Sequence, residues 1–110
     1  MAVIFSFVKR RLYCNNIEVT LAPKCAHLLN AFACSPGQTL TKDGLIERIW
    51  GDDADVNDGT LAQHVWLLRR ALQAERHTRY IDTVRGVGYR FNAYVRHDGT
   101  TLHISESTDS

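Results

Sequence analysis

The stretch TLAQHVWLLRRAL, residues 60–72, restricts the fold of this chain more than any other segment. Leu61, Val65, Leu68 and Leu72 recur at i, i+4, i+7 and i+11, which makes one apolar stripe on an amphipathic helix. The stripe is expected to be buried against Leu28, Phe32, Leu45 and Ile49 of two earlier helices. Trp66 and Leu67 lie more than a quarter turn away from it, so at least one of them is expected to face water. That apolar pair on the polar side asks what the helix is for.

The flanking elements follow from local chemistry. VIFSFV, RRLYC and IEVTL are β-prone, and Asn15-Asn16 between the last two tolerates positive φ, so residues 3–21 predict a small antiparallel sheet. Pro23 suits a first helical position. Cys25, Leu28, Leu29 and Phe32 form an apolar helix face that Ser35-Pro36-Gly37 ends. QTL reads as a short extended link. Thr41 is a good N-cap for a second helix with Leu45, Ile46, Ile49 and Trp50 on its apolar side and Gly51 at its end. Gly44 inside it costs about 1 kcal/mol relative to alanine, so packing has to hold that helix. GDDADVND is a polar loop, and Asn57 is the best N-cap for the third helix, running to about Gln73. YIDTV and YRFNAYV are β-prone runs joined by Arg85-Gly86-Val87-Gly88, where two glycines let the chain reverse with positive φ.

Charge separates along this framework. The net charge of +1 divides into +3 over residues 1–40, −4 over 41–58, +5 over 59–97 and −3 over 98–110. An acidic segment therefore precedes a basic third that carries seven arginines, which suits a polyanion-binding face beside a different surface. The length of 110 residues suits one domain. No run of 18 apolar residues is present, so the chain itself is expected to make no membrane contact. The N-terminal charges follow the apolar run rather than precede it, which is the wrong order for a secretory signal. Cys14, Cys25 and Cys34 are odd in number and lack a CxxC pair, which points to reduced thiols and no metal site. No nucleophile–base spacing stands out, so no catalytic residue, enzyme activity or cofactor is expected.

Two helices joined by a loop and followed by a glycine-turned hairpin make an α+β winged helix-turn-helix. A helix fits the DNA major groove, and an arginine at a hairpin tip suits the negative potential of a narrow minor groove. LTKDGLIERIWG, DGTLAQHVWLLRRAL and YIDTVRGVGYRF resemble the OmpR/PhoB-type winged-helix effector domain, over about residues 3–93. In arrangement the chain is similar to the N-terminal cytoplasmic domain of ToxR/CadC-like regulators. The resemblance implies an N-terminal sheet, three helices, a C-terminal wing and a bacterial transcription regulator that binds double-stranded promoter DNA. It implies that Thr60, Gln63, His64 and Leu67 approach bases or phosphates, with Trp66 on the same helix. It implies that Arg69 and Arg70 close that helix, Arg69 serving the DNA backbone or the fold and Arg70 facing solvent. Thr83 and Arg85 match wing positions that touch phosphate and minor groove. Asp52, Asp53 and Asp55 fall in the loop that can contact RNA polymerase or another partner in the family.

Many relatives carry arginine or polar residues where this chain has Trp66 and Leu67. Three readings stay open: an A·T-rich site read through thymine methyls, Gln63 and shape; a protein interface; or both residues packed in the core. The interface reading makes the domain a winged-helix module that holds another regulator or RNA polymerase and touches DNA weakly. A homodimer or heteromer on DNA is compatible with either binding role. Trp50, Tyr89 and Phe91 read as core, and His27, His77 and His97 as surface. The domain is expected to span residues 1–97, with 98–110 a polar tail or linker, or an extra strand at 101–105 beside the wing strand, turned by Asp98-Gly99. The location expected is the cytoplasm, either as a free regulator or as the cytoplasmic part of a membrane-tethered one.

Overall fold

The computed structural model describes residues 3–52, 55–72 and 80–106. Strands β1 (Val3–Ser6), β2 (Arg11–Cys14) and β3 (Ile17–Thr20) form an antiparallel meander in which Val3 faces Cys14 and Cys14 faces Ile17. Asn15 and Asn16 hold φ of 53° and 67°, the two positive values that a tight hairpin turn needs. Alternation turns Val3, Phe5, Leu12 and Cys14 inward.

Helix α1 (Pro23–Cys34) follows, with Cys25, Leu28, Leu29 and Phe32 all buried as the spacing predicts. Helix α2 (Lys42–Trp50) starts at Thr41, whose Oγ1 accepts from the Gly44 amide at 3.1 Å. A Cβ on Gly44 would stand 2.8 Å from that oxygen, so the glycine that weakens the helix also leaves room for its cap. Helix α3 (Asp58–Leu72) is capped by Asn57, whose Oδ1 accepts from the Thr60 amide at 3.1 Å. The three helices pack on one another, and Leu61, Val65, Leu68 and Leu72 share one core with Leu28, Phe32, Leu45 and Ile49.

The QTL link is more than a link. Strand β4 (Thr39–Thr41) pairs with β6 (Gly88–Phe91), which pairs with β5 (Ile81–Val84), giving a three-stranded sheet in the order β4-β6-β5. The β5–β6 hairpin is the wing. Of its two glycines only Gly86 has positive φ, at 75°. Gly88 serves close approach instead: a Cβ there would lie 1.9 Å from the Leu40 carbonyl oxygen.

YRFNAYV does not continue as one strand. It breaks at Asn92, whose amide donates to the Tyr80 carbonyl at 2.6 Å, and the chain passes to another sheet. Strands β7 (Ala93–Asp98) and β8 (Thr101–Glu106) join the N-terminal meander in the order β3-β2-β1-β8-β7. Residues 98–106 are thus part of the fold, where a tail or linker beginning at 98 was one expectation. The physical reason is alternation: Leu102 and Ile104 face Phe5 and Val3 and are buried with them. The strand lies between β1 and β7 rather than beside the wing. Its turn is Gly99-Thr100, one residue later than expected, because Asp98 already pairs with Thr101 and Gly99 takes the positive φ of 63°. Residues 107–110, like His77, lie outside the described residues. The architecture is an α+β winged helix-turn-helix with a five-stranded sheet at its N-terminal side.

Candidate nucleic-acid interface

Helix α3 advances about 100° per residue. With the Leu61–Leu72 stripe fixed inward, Gln63, Trp66, Leu67 and Arg70 fall on the opposite side, and Thr60 borders them. Gln63, Trp66, Leu67 and Arg70 are exposed and Thr60 is half-buried. Trp66 is 53% exposed and Leu67 40%, which removes the reading that packs both in the core. The Trp66 indole does not stand alone: the Arg70 guanidinium lies over its ring, 4.9 Å from the centroid.

His64 is drawn toward α2. Its ring meets Trp50 edge-on at 5.0 Å, and its Nδ1 lies 2.8 Å from the Thr60 carbonyl oxygen. A carbonyl only accepts, so Nδ1 carries the proton in this bond. The neutral ring then offers Nε2 as an acceptor, and donation from Nε2 to a phosphate requires the imidazolium. Trp50 is half-buried against the core, and Tyr89 and Phe91 are buried, as expected for core residues.

The two adjacent arginines have separate surroundings. Arg69 points to the wing: Nε and Nη2 donate to the Ile81 carbonyl at 3.2 and 3.0 Å, and Nη2 donates to Thr83 Oγ1 at 2.8 Å. Its guanidinium also lies 6.0 Å from the Tyr89 ring centroid. These bonds set the wing strand against α3. The Thr83 hydroxyl, having accepted from Arg69, keeps its own proton for another acceptor. Arg85 is exposed in the turn of the wing. The wing tip is anchored on its other side by the Lys42 amide, which donates to the Val87 carbonyl at 3.1 Å. Thr83 and Arg85 are thereby fixed relative to α3.

The loop before α3 has the opposite charge. Asp52 and Asp55 are exposed, and Asp53 lies outside the described residues. Beside the loop is an open groove of about 530 Å³ lined by Asp43, Ile46, Glu47, Val56 and Asp58. Sequence reasoning did not bring Asp43 and Glu47 to this place, although their i, i+4 spacing on α2 could have indicated it. The same spacing joins Trp66 to Arg70 and was the available sign of that pair.

The cysteines contribute nothing to this surface. Cys14 and Cys25 are buried, and their thiols lie 3.4 Å and 3.8 Å from the carbonyl oxygens of Ala71 and His64. Burial pushes both thiols above the ordinary thiol range because the thiolate would be poorly solvated. Cys34 is exposed. Among the described residues no helix is long and apolar enough to cross a membrane.

Comparison with known proteins gives a consistent picture. Residues 16–91 match the family described as "Transcriptional regulatory protein, C terminal". The chain is 34% identical over 83 residues to the phosphate regulon transcriptional regulatory protein PhoB of Klebsiella pneumoniae, covering 76% of this chain and 36% of the relative. It is 37% identical over 75 residues to the transcriptional regulator HilA of Salmonella typhimurium, covering 68% of this chain and 13% of HilA. It thus spans little more than a third of one relative and about an eighth of the other. Its structure is similar to the DNA-binding domain of E. coli CadC, with a TM-score of 0.70 and 27% identity over 83% of this chain and 92% of that one.

Proposed function

The chain belongs to the OmpR/PhoB-type family of C-terminal domains of transcriptional regulatory proteins, and from that premise we propose that it regulates transcription by binding promoter DNA through α3 and the wing. The observation that carries this reading is the set of three bonds from Arg69 to Ile81 and Thr83, which ties α3 to the arginine-tipped hairpin. A helix fits the major groove, and residues near its start reach base edges first. Thr60 and Gln63 take that place here. Leu67 supplies apolar contact, for which a thymine methyl is the natural partner. Arg85 enters the adjacent minor groove, while Arg70 and Thr83 meet phosphates. Arg69 acts by holding the wing in position. The role is one of binding rather than catalysis.

Asp52 and Asp55 with the acidic groove form a second surface suited to a basic partner; RNA polymerase is the partner proposed for it, with Asp53 assigned to the same contact from the sequence alone. Assembly on DNA as a homodimer or heteromer and residence in the bacterial cytoplasm follow from the same regulatory reading. The exposure of Trp66 and Leu67 favours one alternative, a protein-interaction module with weak DNA contact. A mobility shift with promoter DNA and competitor, repeated across salt, tests the proposal. Affinity that falls steeply with salt and drops further in Arg85→Ala supports it. Salt-insensitive binding, together with self-association that Trp66→Ala and Leu67→Ala abolish, supports the alternative.

A further inference from the structure

We propose that Trp66 is a positioning residue, an indole plate that holds the Arg70 guanidinium in place as a clamp on a DNA backbone phosphate. This rests on the DNA-binding reading and gives the tryptophan a place in it.

The two side chains are one helical turn apart, and the guanidinium lies 4.9 Å from the ring centroid. Trp66 is 53% exposed, so packing alone does not account for it. Among the described residues no carboxylate pairs with Arg70; the arginine and lysine ion pairs among them join Arg11 to Glu18, Lys42 to Asp58 and Arg90 to Asp82. Arg69 spends its donors on the wing. Arg70 is therefore held by a ring face and by no acceptor among the described residues, whereas Arg69, which also approaches the Tyr89 ring, is bonded to the wing; the donors of Arg70 are left for an anion. Arg70 stands about 18 Å along the axis from Asp58, beyond the residues that meet base edges first, where a recognition helix passes the backbone. A long flexible side chain restricted before binding loses less freedom on binding. An indole has one N–H donor and no acceptor, so with a face covered by arginine it is better fitted to placing a cation than to reading a base.

The test is a double-mutant cycle on DNA affinity across salt, with Trp66→Ala, Arg70→Ala and the pair, and with Trp66→Phe as the conservative variant. Arg70→Ala is expected to flatten the salt dependence by about one phosphate contact. Trp66→Ala is expected to weaken binding about two- to fivefold, the effect of an exposed cation–π contact, with the salt slope and base preference unchanged. Trp66→Phe should restore most of the loss, and Trp66→Ala should add nothing once Arg70 is alanine. An equal effect of Trp66→Ala with and without Arg70, a change in the preferred sequence, or no effect at all would each overturn the proposal. Without DNA, in a Trp50→Phe background, Arg70→Ala should change Trp66 emission; an unchanged spectrum also counts against the pair. If the wild-type domain shows no salt-dependent binding at all, the DNA reading itself fails, a different result from additive mutants on a domain that binds.

Discussion

Arg69→Ala separates a residue that builds the interface from one that touches the ligand. In the fold its guanidinium donates twice to the Ile81 carbonyl and once to Thr83 Oγ1. Hydrogen bonds to a charged donor are worth about 1.5–3 kcal/mol each in favourable cases, but two of these share one acceptor and Thr83 is exposed. The loss is therefore set at about 1.5–3 kcal/mol in total rather than at three full bonds. For a domain of this size that is a fall in melting temperature of roughly 6–15 °C. The contact to Tyr89 at 6.0 Å adds little. Lysine cannot span two acceptors with one planar fork, so Arg69→Lys should recover less than half of the loss. Thermal unfolding by circular dichroism measures the stability, and amide exchange of Ile81–Val84 shows whether the wing loosens first. DNA affinity should fall through the wing, with the salt slope nearly unchanged. An unchanged melting temperature together with a salt slope lowered by about one phosphate would refute the reasoning and move Arg69 into direct backbone contact.

Other perturbations have equally definite expectations. Gly88→Ala places a Cβ 1.9 Å from the Leu40 carbonyl oxygen and 2.9 Å from the Thr41 Cα, both backbone, so it should cost about 1–3 kcal/mol or more and separate β4 from the wing in a denaturant melt. Leu68→Ala removes a fully buried side chain and should cost on the order of 2–5 kcal/mol in the same assay; a smaller loss would mean that the core closes over the gap. Arg85→Ala should weaken DNA binding by roughly 1–3 kcal/mol with unchanged circular dichroism, and unchanged affinity at physiological salt would remove the wing from the interface. Cys34 should react promptly with a thiol reagent, whereas Cys14 and Cys25 react only on unfolding. Because folding raises the ionisation range of these two thiols, the stability they lend is present below the ordinary thiol range and is lost as pH rises through their folded range; a stability curve flat across that alkaline window would contradict this.

Strong periodicity made the helices legible in the sequence. The α3 stripe has four apolar residues in register, and Asn57 and Thr41 marked starts that the caps reproduce. The Asn15-Asn16 turn was equally plain, since few residue pairs accept two positive φ values. What sequence left open was the pairing of short strands. QTL and NAYVRHD carry too few residues to declare their neighbours, and only Gly88 against Leu40 and Leu102 against Phe5 decide which sheet each joins. Among the candidate contact residues, the exposed face of α3 followed directly from the wheel. The difference between Arg69 and Arg70 came from the family resemblance, which put Arg70 in solvent and left Arg69 to the DNA backbone or the fold; that Arg69 meets the wing depends on the position of β5, which the sequence does not give.

Amide chemical-shift mapping during titration with a short duplex of a bound promoter tests the central claim most directly. Perturbations should concentrate on Thr60, Gln63, Leu67 and Arg70 of α3 and on Thr83 and Arg85 of the wing, with the β3-β2-β1-β8-β7 sheet largely unmoved. Shifts centred on that sheet or on the Asp52–Asp55 loop, with α3 and the wing silent, would contradict it.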